Sequence, residues 1–360
     1  MINSKNQFVK VQKKHNLAEN FISLRQFYFM KLLYINKNIN LSKPIISQLN
    51  KMGFEVDVLI ESLPQPVDKH SLIHRFGNIF HRLVLKDNQY FIRKEKRLFE
   101  KFAEKRLKNK KYDIAFFIRA DMYPEAFIKK VRQRSSKMVS YQWDGLEMYP
   151  KIFDYYKYFD RKLVFDGDDI SKFPQYNLLP LTNFYYTEGQ SAGNMLDLFY
   201  VGVGLEERIR MSYAIEDFAE KNGLTFKAIL TVPDFRREVA GKSVNLVHQG
   251  ISIEENERYT SMSKSVVDFK MNSHNGASFR VFECLKMEKK LISNNFRLSD
   301  YDFYHPDNIF LTDFQDLTGL KAFLEKPYHP IDRKIVDKYG IKNWVNYALD
   351  YGDYEPINIP

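Results

Sequence analysis

The chain has 360 residues and a formal net charge of +10, and this length favours two domains over one. No apolar run approaches the ~20 residues that a membrane-spanning helix needs, and the N-terminal stretch lacks the apolar core of a secretory signal. The single cysteine, Cys284, excludes an internal disulfide framework and argues against a cysteine-based metal site. Together these features indicate a reducing, cytoplasmic compartment.

Much of the basic charge lies in one segment, residues 93–111, which reads RKEKRLFEKFAEKRLKNKK. Two interpretations stay open for it. It is either a solvated helix face followed by a basic loop, or an electrostatic contact with an anionic membrane or a polyanionic acceptor. Nucleic acid is not an expected partner, because the sequence shows no zinc knuckle, aromatic RNA-binding motif or helix-turn-helix signature.

The N-terminal half alternates strand-like and helix-like runs. The predicted strands cover residues 27–36, 54–61, 112–120, 137–144 and 161–169. Ser42 is the expected N-cap of the first helix and Gly53 its C-terminal stop, and residues 68–110 form a basic, aromatic region with a helical period. Repeated strand–helix–strand order predicts a parallel sheet with helices on both faces.

The same pattern restarts after a Gly/Ser-rich stretch at residues 187–195, which is the expected linker. A buried strand at 197–204 ends in glycines, and a helix, a strand at 225–232 and a further strand–helix–strand unit at 265–293 follow. The fold class is therefore α/β with two Rossmann-like halves. The predicted domains are residues 1–186, 187–340 and a C-terminal helix and tail, 341–360, that packs back on the N-terminal domain.

The loop at residues 272–278, NSHNGAS, is the first candidate binding site. It follows a strand and opens a helix, and ligands of parallel sheets bind beyond the carboxyl ends of the strands. The free N–H groups and the dipole of a helix N-terminus favour phosphate. Gly276 permits a close backbone approach, and neutral donors are available from Asn272, His274, Asn275 and Ser278. The alternative is an ordinary turn with a serine cap.

A single carboxylate, Glu283, lies one turn inside the helix that follows this loop. Gly276, Arg280 and Glu283 share one helical stripe, so the carboxylate is badly placed for phosphate but well placed to accept hydrogen bonds from ribose hydroxyls. The alternative is an intrahelical pair between Arg280 and Glu283, which contributes little.

The stretch FRVFECLKMEKKLISNN at 279–295 resembles the C-terminal signature of GT-B glycosyltransferases. The ordered pieces YQWDGLEMY, LVFDGDDISKF, FYVGVGLEERIRMS and IKNW are similar to those of a bacterial group that builds lipopolysaccharide or capsule. This group is related to the glycosyltransferases named after spore maturation. The resemblance implies a GT-B fold, with two Rossmann-like domains facing a cleft, and transfer of a sugar from a nucleotide-activated donor to a glycan or lipid-linked oligosaccharide.

The same resemblance implies the donor-site residues. Glycines at the end of one strand, one of two following arginines, the loop and the stripe residues would contact the nucleotide-sugar: Gly202, Gly204, Arg208 or Arg210, His274, Asn275, Gly276, Ser278, Arg280 and Glu283. Many relatives have Thr or Gly where this chain has Ala277 and Ser278, and an earlier carboxylate of their motif has no counterpart here. Arginine and a helix N-terminus supply positive potential for the leaving diphosphate, so no metal or other cofactor is expected.

An inverting transfer needs a general base for the acceptor hydroxyl, and the N-terminal half offers two carboxylates at strand ends. Asp144 follows a strand beside Trp143, which would raise its pKa by desolvation or stack on a sugar. Asp121 is the second candidate. The alternative for Asp144 is a turn residue, because Asp-Gly is a common turn pair.

Two rivals to this interpretation stay open. Asp166 and Asp168 form a D-x-D pair, which in metal-dependent GT-A transferases holds a divalent cation. A non-catalytic protein that binds glycan or nucleotide is the other rival. The main expectation is a metal-independent glycosyltransferase of the bacterial cytoplasm, peripheral at the inner membrane through residues 93–111.

Overall fold

The computed structural model describes residues 30–37, 39–59, 71–83, 89–187, 189, 192–193, 195–232, 239–240, 242–270 and 274–360. Asn272, the start of the first predicted strand and several residues of the 187–195 linker lie outside this part of the chain. Among the described residues, no helix has the length and apolar character needed to cross a membrane.

The N-terminal sheet contains six parallel strands within the described residues, in the order β2-β1-β3-β4-β5-β6. They are β1 (Lys31–Ile35), β2 (Glu55–Val58), β3 (Tyr112–Ile118), β4 (Ser135–Gln142), β5 (Arg161–Val164) and β6 (Leu179–Pro180). The helices are α1 (Ile39–Lys51), α2 (Leu72–Leu83), α3 (Tyr90–Leu107), α4 (Glu125–Arg132), α5 (Ile152–Tyr155) and α6 (Gly167–Lys172). The central strands β1 and β3 are almost wholly buried, which explains their continuous apolar runs.

The C-terminal sheet has the order β13-β12-β11-β7-β8-β10-β9 in the described residues, and β9 is antiparallel to β10. Its strands are β7 (Leu196–Val203), β8 (Phe226–Thr231), β9 (Val239–Ala240), β10 (Val244–Val247), β11 (Ser263–Asp268), β12 (Lys290–Ser293) and β13 (Ile309–Leu311). Its helices are α7 (Glu206–Asn222), α8 (Ile253–Met262), α9 (Phe279–Met287), α10 (Leu320–Glu325), α11 (Arg333–Lys338) and α12 (Ile341–Leu349). The strand order reverses between β7 and β11, and ligands of open α/β sheets bind at such a switch point.

The last helix, α12, lies against the N-terminal domain. Trp344 is fully buried and packs on Phe116 of β3 and Tyr141 of β4, and its indole Nε1 donates to the Thr182 carbonyl at 2.7 Å. Lys137 of β4 donates to the Leu349 carbonyl at the end of the helix, at 2.8 Å. Within the described residues, the chain thus passes from the N-terminal to the C-terminal sheet between β6 and β7 and returns before α12.

Two details of the predicted elements are wrong. Ser42 is not an N-cap, because α1 begins at Ile39; the Ser42 hydroxyl is buried and accepts a hydrogen bond from Asn36 Nδ2 at 3.0 Å. The strand predicted at 161–169 ends at Val164, because Asp166 caps α6 by accepting from the Asp168 N–H. Gly53 has φ of +85°, which fits the predicted stop of α1.

Candidate functional site

The N-terminus of α9 lies beyond the carboxyl end of β11, and none of the described residues caps it with a side chain. Ser278 occupies the cap position, but its hydroxyl donates to Asp268 Oδ1 at 2.8 Å and so does not accept from the helix. The first N–H groups of a helix have no partner within the helix. The α9 terminus is therefore open to an anion.

The loop before α9 is pressed against the N-terminal domain. Gly276 is buried, and a Cβ at this position would lie 2.3 Å from the ring of Phe165, which directly follows β5. A real side chain cannot come so close without displacing its neighbour. Gly276 is thus required for the contact between the two domains, in addition to any approach of a phosphate.

Two carboxylates of the predicted D-x-D pair hold this loop. The Asn275 N–H donates to Asp166 Oδ2 at 2.8 Å, and Asn275 Nδ2 donates to Asp168 Oδ2 at 2.9 Å. Arg297 also pairs with Asp168, at 3.3 Å. Among the described residues, no group of three or more His, Cys, Asp or Glu side chains is arranged to hold a metal ion.

Arg280 is turned inward. Its Nη1 donates to the buried Asp268 carboxylate at 2.8 Å, and its Nη2 donates to the Val201 carbonyl. Burial opposes the charge of Arg280, but the combined effect of Asp268, Tyr200 and Glu283, with Asp268 the largest of the three, raises the pKa of the guanidinium. Arg280 therefore pairs with Asp268 rather than with Glu283, and it ties the ends of β7 and β11 together beneath the open helix terminus.

The two arginines of α7 differ in position. Arg208 is half-buried and donates through Nη2 to the Phe269 carbonyl at 2.9 Å, just beyond β11. Arg210 is exposed. Of the two arginines, Arg208 is the one that lies at the switch point between β7 and β11.

The glycines at the end of β7 fit tightly among their neighbours. A Cβ on Gly202 would lie 2.4 Å from the Tyr200 hydroxyl, and one on Gly204 would lie 2.4 Å from Val232 Cγ1. Packing within the sheet is therefore sufficient to require both glycines, whether or not a diphosphate approaches them.

Glu283 faces α8 rather than the loop. Asn256 Nδ2 donates to Glu283 Oε2 at 3.4 Å, and α8 begins next to it with a complete capping box at Ser252 and Glu255. Burial raises the pKa of the Glu283 carboxyl, while Arg280 and the Asn256 hydrogen bond act in the opposite direction. A partly buried carboxylate with one long hydrogen bond can accept further hydrogen bonds from a ligand.

His274 stands between the two domains. Its ring packs edge-on against Phe165, with centroids 5.0 Å apart, and its buried Nδ1 has no hydrogen-bond partner in the part of the chain that the structure describes. Burial lowers the pKa of His274, and the charges of Asp144 and Asp166 act in the opposite direction. His274, in the loop before α9, is thus close enough to Asp144, the predicted base of the other domain, to feel its charge.

Asp121 and Asp144 meet at one arginine that the sequence interpretation overlooked. Arg119 donates to both oxygens of Asp121, each at 2.8 Å, and also to Asp144. The Asp121 carboxylate is 7% exposed and accepts from Gln142 as well, whereas that of Asp144 is 30% exposed. Asp144 is consequently the more accessible of the two candidate bases.

Arg119 itself is held in an uncommon backbone conformation, with φ of +58°, and its guanidinium stacks on the Tyr149 ring at 3.6 Å. Burial opposes its charge, but the pairs with Asp121 and Asp144 outweigh this effect and raise the pKa of Arg119. A non-glycine residue with positive φ is often found at a functional site. The sequence does contain a signal for Arg119: an arginine and an aspartate, Arg119 and Asp121, lie at the carboxyl end of the predicted strand, where ligands of parallel sheets bind.

Lys270 and Asp268 are two further residues that the sequence interpretation did not single out. Lys270 Nζ donates to the His274 carbonyl at 3.1 Å and to Asn275 Oδ1 at 3.0 Å, so it brings a cation to the loop. Asp268 accepts from Ser278, Arg280 and, at 3.2 Å, Ser293. Asp268 is the last residue of β11, and Lys270 follows two residues later. Their place at the carboxyl end of a parallel strand, where ligands bind, could have indicated them.

Comparisons with solved structures identify the architecture. The chain resembles an alpha-glucosyltransferase in complex with UDP and a 13-mer DNA, with a TM-score of 0.55, 13% identity, and coverage of 88% of this chain and 95% of that one. It also resembles the UDP-GlcNAc 2-epimerase from Neisseria meningitidis bound to UDP-GlcNAc, with a TM-score of 0.53, 11% identity, and coverage of 89% and 99%. The fold is GT-B.

At these identities the likeness establishes the fold alone. A scan against profiles of known protein families finds no match, and a search of curated protein sequences finds none either. The GT-B architecture agrees with the fold expected from the sequence and excludes the GT-A architecture of the rival interpretation. The fold is shared by glycosyltransferases and by nucleotide-sugar epimerases, so it does not by itself decide the reaction.

Proposed function

We propose that the chain is a glycosyltransferase that moves a sugar from a nucleoside-diphosphate donor to a surface polysaccharide or lipopolysaccharide acceptor. The observation that carries this proposal is the pairing of an uncapped helix terminus at α9 with a carboxylate pair on the facing domain. The acceptor hydroxyl attacks the anomeric carbon and gives its proton to the base. The bond from that carbon to the diphosphate breaks, and its electron pair leaves with the nucleotide.

The donor half of the site uses fixed positive potential. The open N–H groups of α9, Lys270 at the loop and Arg208 at the switch point surround the position of the diphosphate. Such preorganised charge stabilises a leaving phosphate without reorganisation during the reaction. Glu283 then takes the ribose hydroxyls, because it lies one turn further along the same helix and next to α8.

The acceptor half of the site uses Asp144 as the base. Its carboxylate is partly exposed and lies near His274 of the donor loop. Asp121 is buried and has both oxygens occupied by Arg119, so its proposed role is to orient Arg119. Arg119 in turn holds Asp144 toward the cleft.

The transfer is proposed to proceed without a divalent metal, because the chain's own cations surround the diphosphate position and the D-x-D pair already holds Asn275. The place of action would be the bacterial cytoplasm, at the inner face of the membrane. The exposed cations of the basic segment 93–111 support contact with an anionic membrane surface. Neutralising these lysines is expected to lower binding to anionic vesicles.

A second candidate function is epimerisation of a UDP-sugar. The likeness to the epimerase from Neisseria meningitidis, at a TM-score of 0.53, is nearly as high as that to the glucosyltransferase. An epimerase needs no acceptor, and its product is again a nucleotide-sugar. The two reactions therefore differ in whether free nucleoside diphosphate accumulates.

The test follows from this difference. The protein is incubated with UDP-glucose, UDP-GlcNAc, GDP-mannose and CMP- and dTDP-sugars, with and without EDTA and with a bacterial glycolipid extract. Free nucleotide and the sugar's stereochemistry are then followed by NMR. Acceptor-dependent release of one nucleotide, unchanged by EDTA, supports transfer. A new epimer without release supports epimerisation, and binding without turnover supports a non-catalytic protein.

A further inference from the structure

Helix α2 (Leu72–Leu83) turns its apolar side toward the solvent. Five large apolar side chains, each at least half exposed, follow one stripe of this helix: Leu72, Ile73, Phe76, Ile79 and Phe80. Their spacing is that of the buried face of an amphipathic helix. An exposed apolar stripe of this size on a soluble domain usually marks an interaction surface.

The polar side of α2 is the side that contacts the protein. His74 Nδ1 lies 3.3 Å from the Tyr90 hydroxyl, and Arg93 lies 3.2 Å from His81 Nδ1. A Cβ on Gly77 would lie 2.6 Å from the same Tyr90 hydroxyl, so a larger residue there would push the helix away. The helix is therefore docked on α3 with its polarity reversed relative to an ordinary surface helix.

The surroundings of this apolar stripe are strongly basic. Residues 71–111 contain 13 lysines and arginines and four carboxylates, so this stretch carries nearly all of the chain's net charge of +10. Lys94, Lys96, Arg97 and Lys101 of α3 are exposed, and so is Arg75 of α2. A second copy of the chain would bring the same positive charge to the stripe, and the repulsion disfavours self-association there.

We propose that α2 inserts its apolar stripe into the headgroup boundary of an anionic lipid bilayer, with the cations of α3 on the lipid phosphates. A helix with a large apolar face and a basic border lies in this way in a membrane interface. The proposal rests on the membrane contact proposed for residues 93–111, but it does not depend on the identity of the reaction.

The apolar stripe of α2 lies near the proposed acceptor side of the cleft, which suggests a role for the membrane contact. Ile92 and Lys96 of α3 line a cavity of about 660 Å³ together with Met122, which directly follows Asp121. The first turns of α3 therefore lie at the same edge of the N-terminal sheet as the acidic pair. A membrane held by α2 would bring lipid-linked glycans to the acceptor side of the cleft.

The experiment measures co-sedimentation of the full chain with phosphatidylcholine vesicles, with and without phosphatidylglycerol. The test variant is Phe76→Ser with Ile79→Ser. A matched control, Met195→Ser with Tyr213→Ser, removes two exposed apolar side chains of the C-terminal domain. A third variant, Lys94→Ala with Lys96→Ala and Arg97→Ala, removes charge only, and circular dichroism and melting curves verify the fold of each.

The expected result is binding to anionic vesicles that falls about tenfold or more in the α2 variant and stays unchanged in the control. Phe76→Trp should also show a blue-shifted emission on these vesicles. Wild-type binding by the α2 variant, with loss only in the charge variant, would overturn insertion and leave a purely electrostatic contact. A wild-type dimer that the α2 variant converts to monomer, without vesicle binding, would assign the stripe to a second copy instead. Failure of either kind leaves the nucleotide-sugar assay unaffected.

Discussion

The backbone N–H of Asn275 in the C-terminal domain donates to the carboxylate of Asp166 in the N-terminal domain, at 2.8 Å. This hydrogen bond joins the loop before α9 to the cap of α6, and so it links the donor-side helix terminus directly to the opposite wall of the cleft. The two carboxylates of the D-x-D pair therefore act as hydrogen-bond acceptors for Asn275, a structural role that involves no metal.

Asp166→Asn separates the two roles open to this carboxylate. The amide retains one oxygen for the Asn275 N–H and gives up the acceptor of the Asp168 N–H. Because a neutral hydrogen bond contributes only ~1 kcal/mol, we expect turnover within about fivefold of wild type. A metal ligand would behave differently, and its loss would reduce turnover by two orders of magnitude or more while the remaining activity became sensitive to EDTA. Steady-state kinetics of the variant, with Asp160→Asn as a control on the same domain, distinguish these outcomes.

Gly276→Ala should destabilise the closed arrangement of the two domains. Its Cβ would lie 2.3 Å from the Phe165 ring, and overpacking of this kind costs about 1–3 kcal/mol. Phe165→Leu in the same chain should recover part of this loss, because the ring atoms that clash are removed. A double-mutant cycle by urea unfolding measures the coupling, and strictly additive effects would show that the two residues do not meet.

Asp121 and Asp144 should respond oppositely to amide substitution. Asp121→Asn removes one partner from a buried ion pair, for which a cost of about 3–5 kcal/mol is typical, so its main effect should be a lower melting temperature. Asp144→Asn should leave the melting temperature nearly unchanged and lower kcat by roughly 10²–10⁴, the range for loss of a general base. A stable Asp121→Asn variant with no activity would reverse the assignment.

Asp169 provides a test of pH dependence. It is buried and accepts from the Leu146 N–H at 3.0 Å, and burial raises the pKa of its carboxyl to about 6. Because the folded chain holds this proton more tightly than the unfolded chain does, stability should rise as the pH falls from 7 toward 4. Asp169→Asn should melt about 1–3 °C above wild type at pH 8, and this difference should be clearly smaller at pH 5 and vanish below the unfolded-state pKa, near pH 4. An equal difference at pH 8 and pH 4 would rule out titration of Asp169 as the cause.

The sequence was sufficient for the fold because the central strands of the two sheets are short apolar runs, and most of them are followed by a helix. The parallel order, the restart at β7 and the position of the loop before α9 all follow from this local pattern. The prediction of Ser42 as the N-cap was wrong because α1 begins three residues earlier, at Ile39, and the Ser42 hydroxyl instead accepts a hydrogen bond from Asn36.

The side-chain contacts that assemble the site, within and between the domains, could not be predicted because they join residues with no shared local pattern. Arg119 joins Asp121 to Asp144, and Phe165 meets Gly276, across separations of 2 to 111 residues in the chain. Neither spacing nor propensity encodes such pairs. Arg280 shows the same limit, since its position on the α9 stripe suggested a ligand or a partner for Glu283, whereas its guanidinium is bound by Asp268 of the preceding strand.

The most direct test of the account is the thermal shift produced by UDP, GDP, CDP, CMP and dTDP on the wild type and on Glu283→Ala, with and without EDTA. Glu325→Ala, which removes an exposed carboxylate of α10, is the matched control. A nucleotide at ~100 times its dissociation constant stabilises the folded chain by about 2.7 kcal/mol. We predict that one nucleotide raises the melting temperature of the wild type and of Glu325→Ala, that EDTA does not alter this shift, and that Glu283→Ala loses most of it. A shift that persists in Glu283→Ala, or no shift with any nucleotide, would contradict the placement of the ribose at Glu283 and with it the donor site at α9.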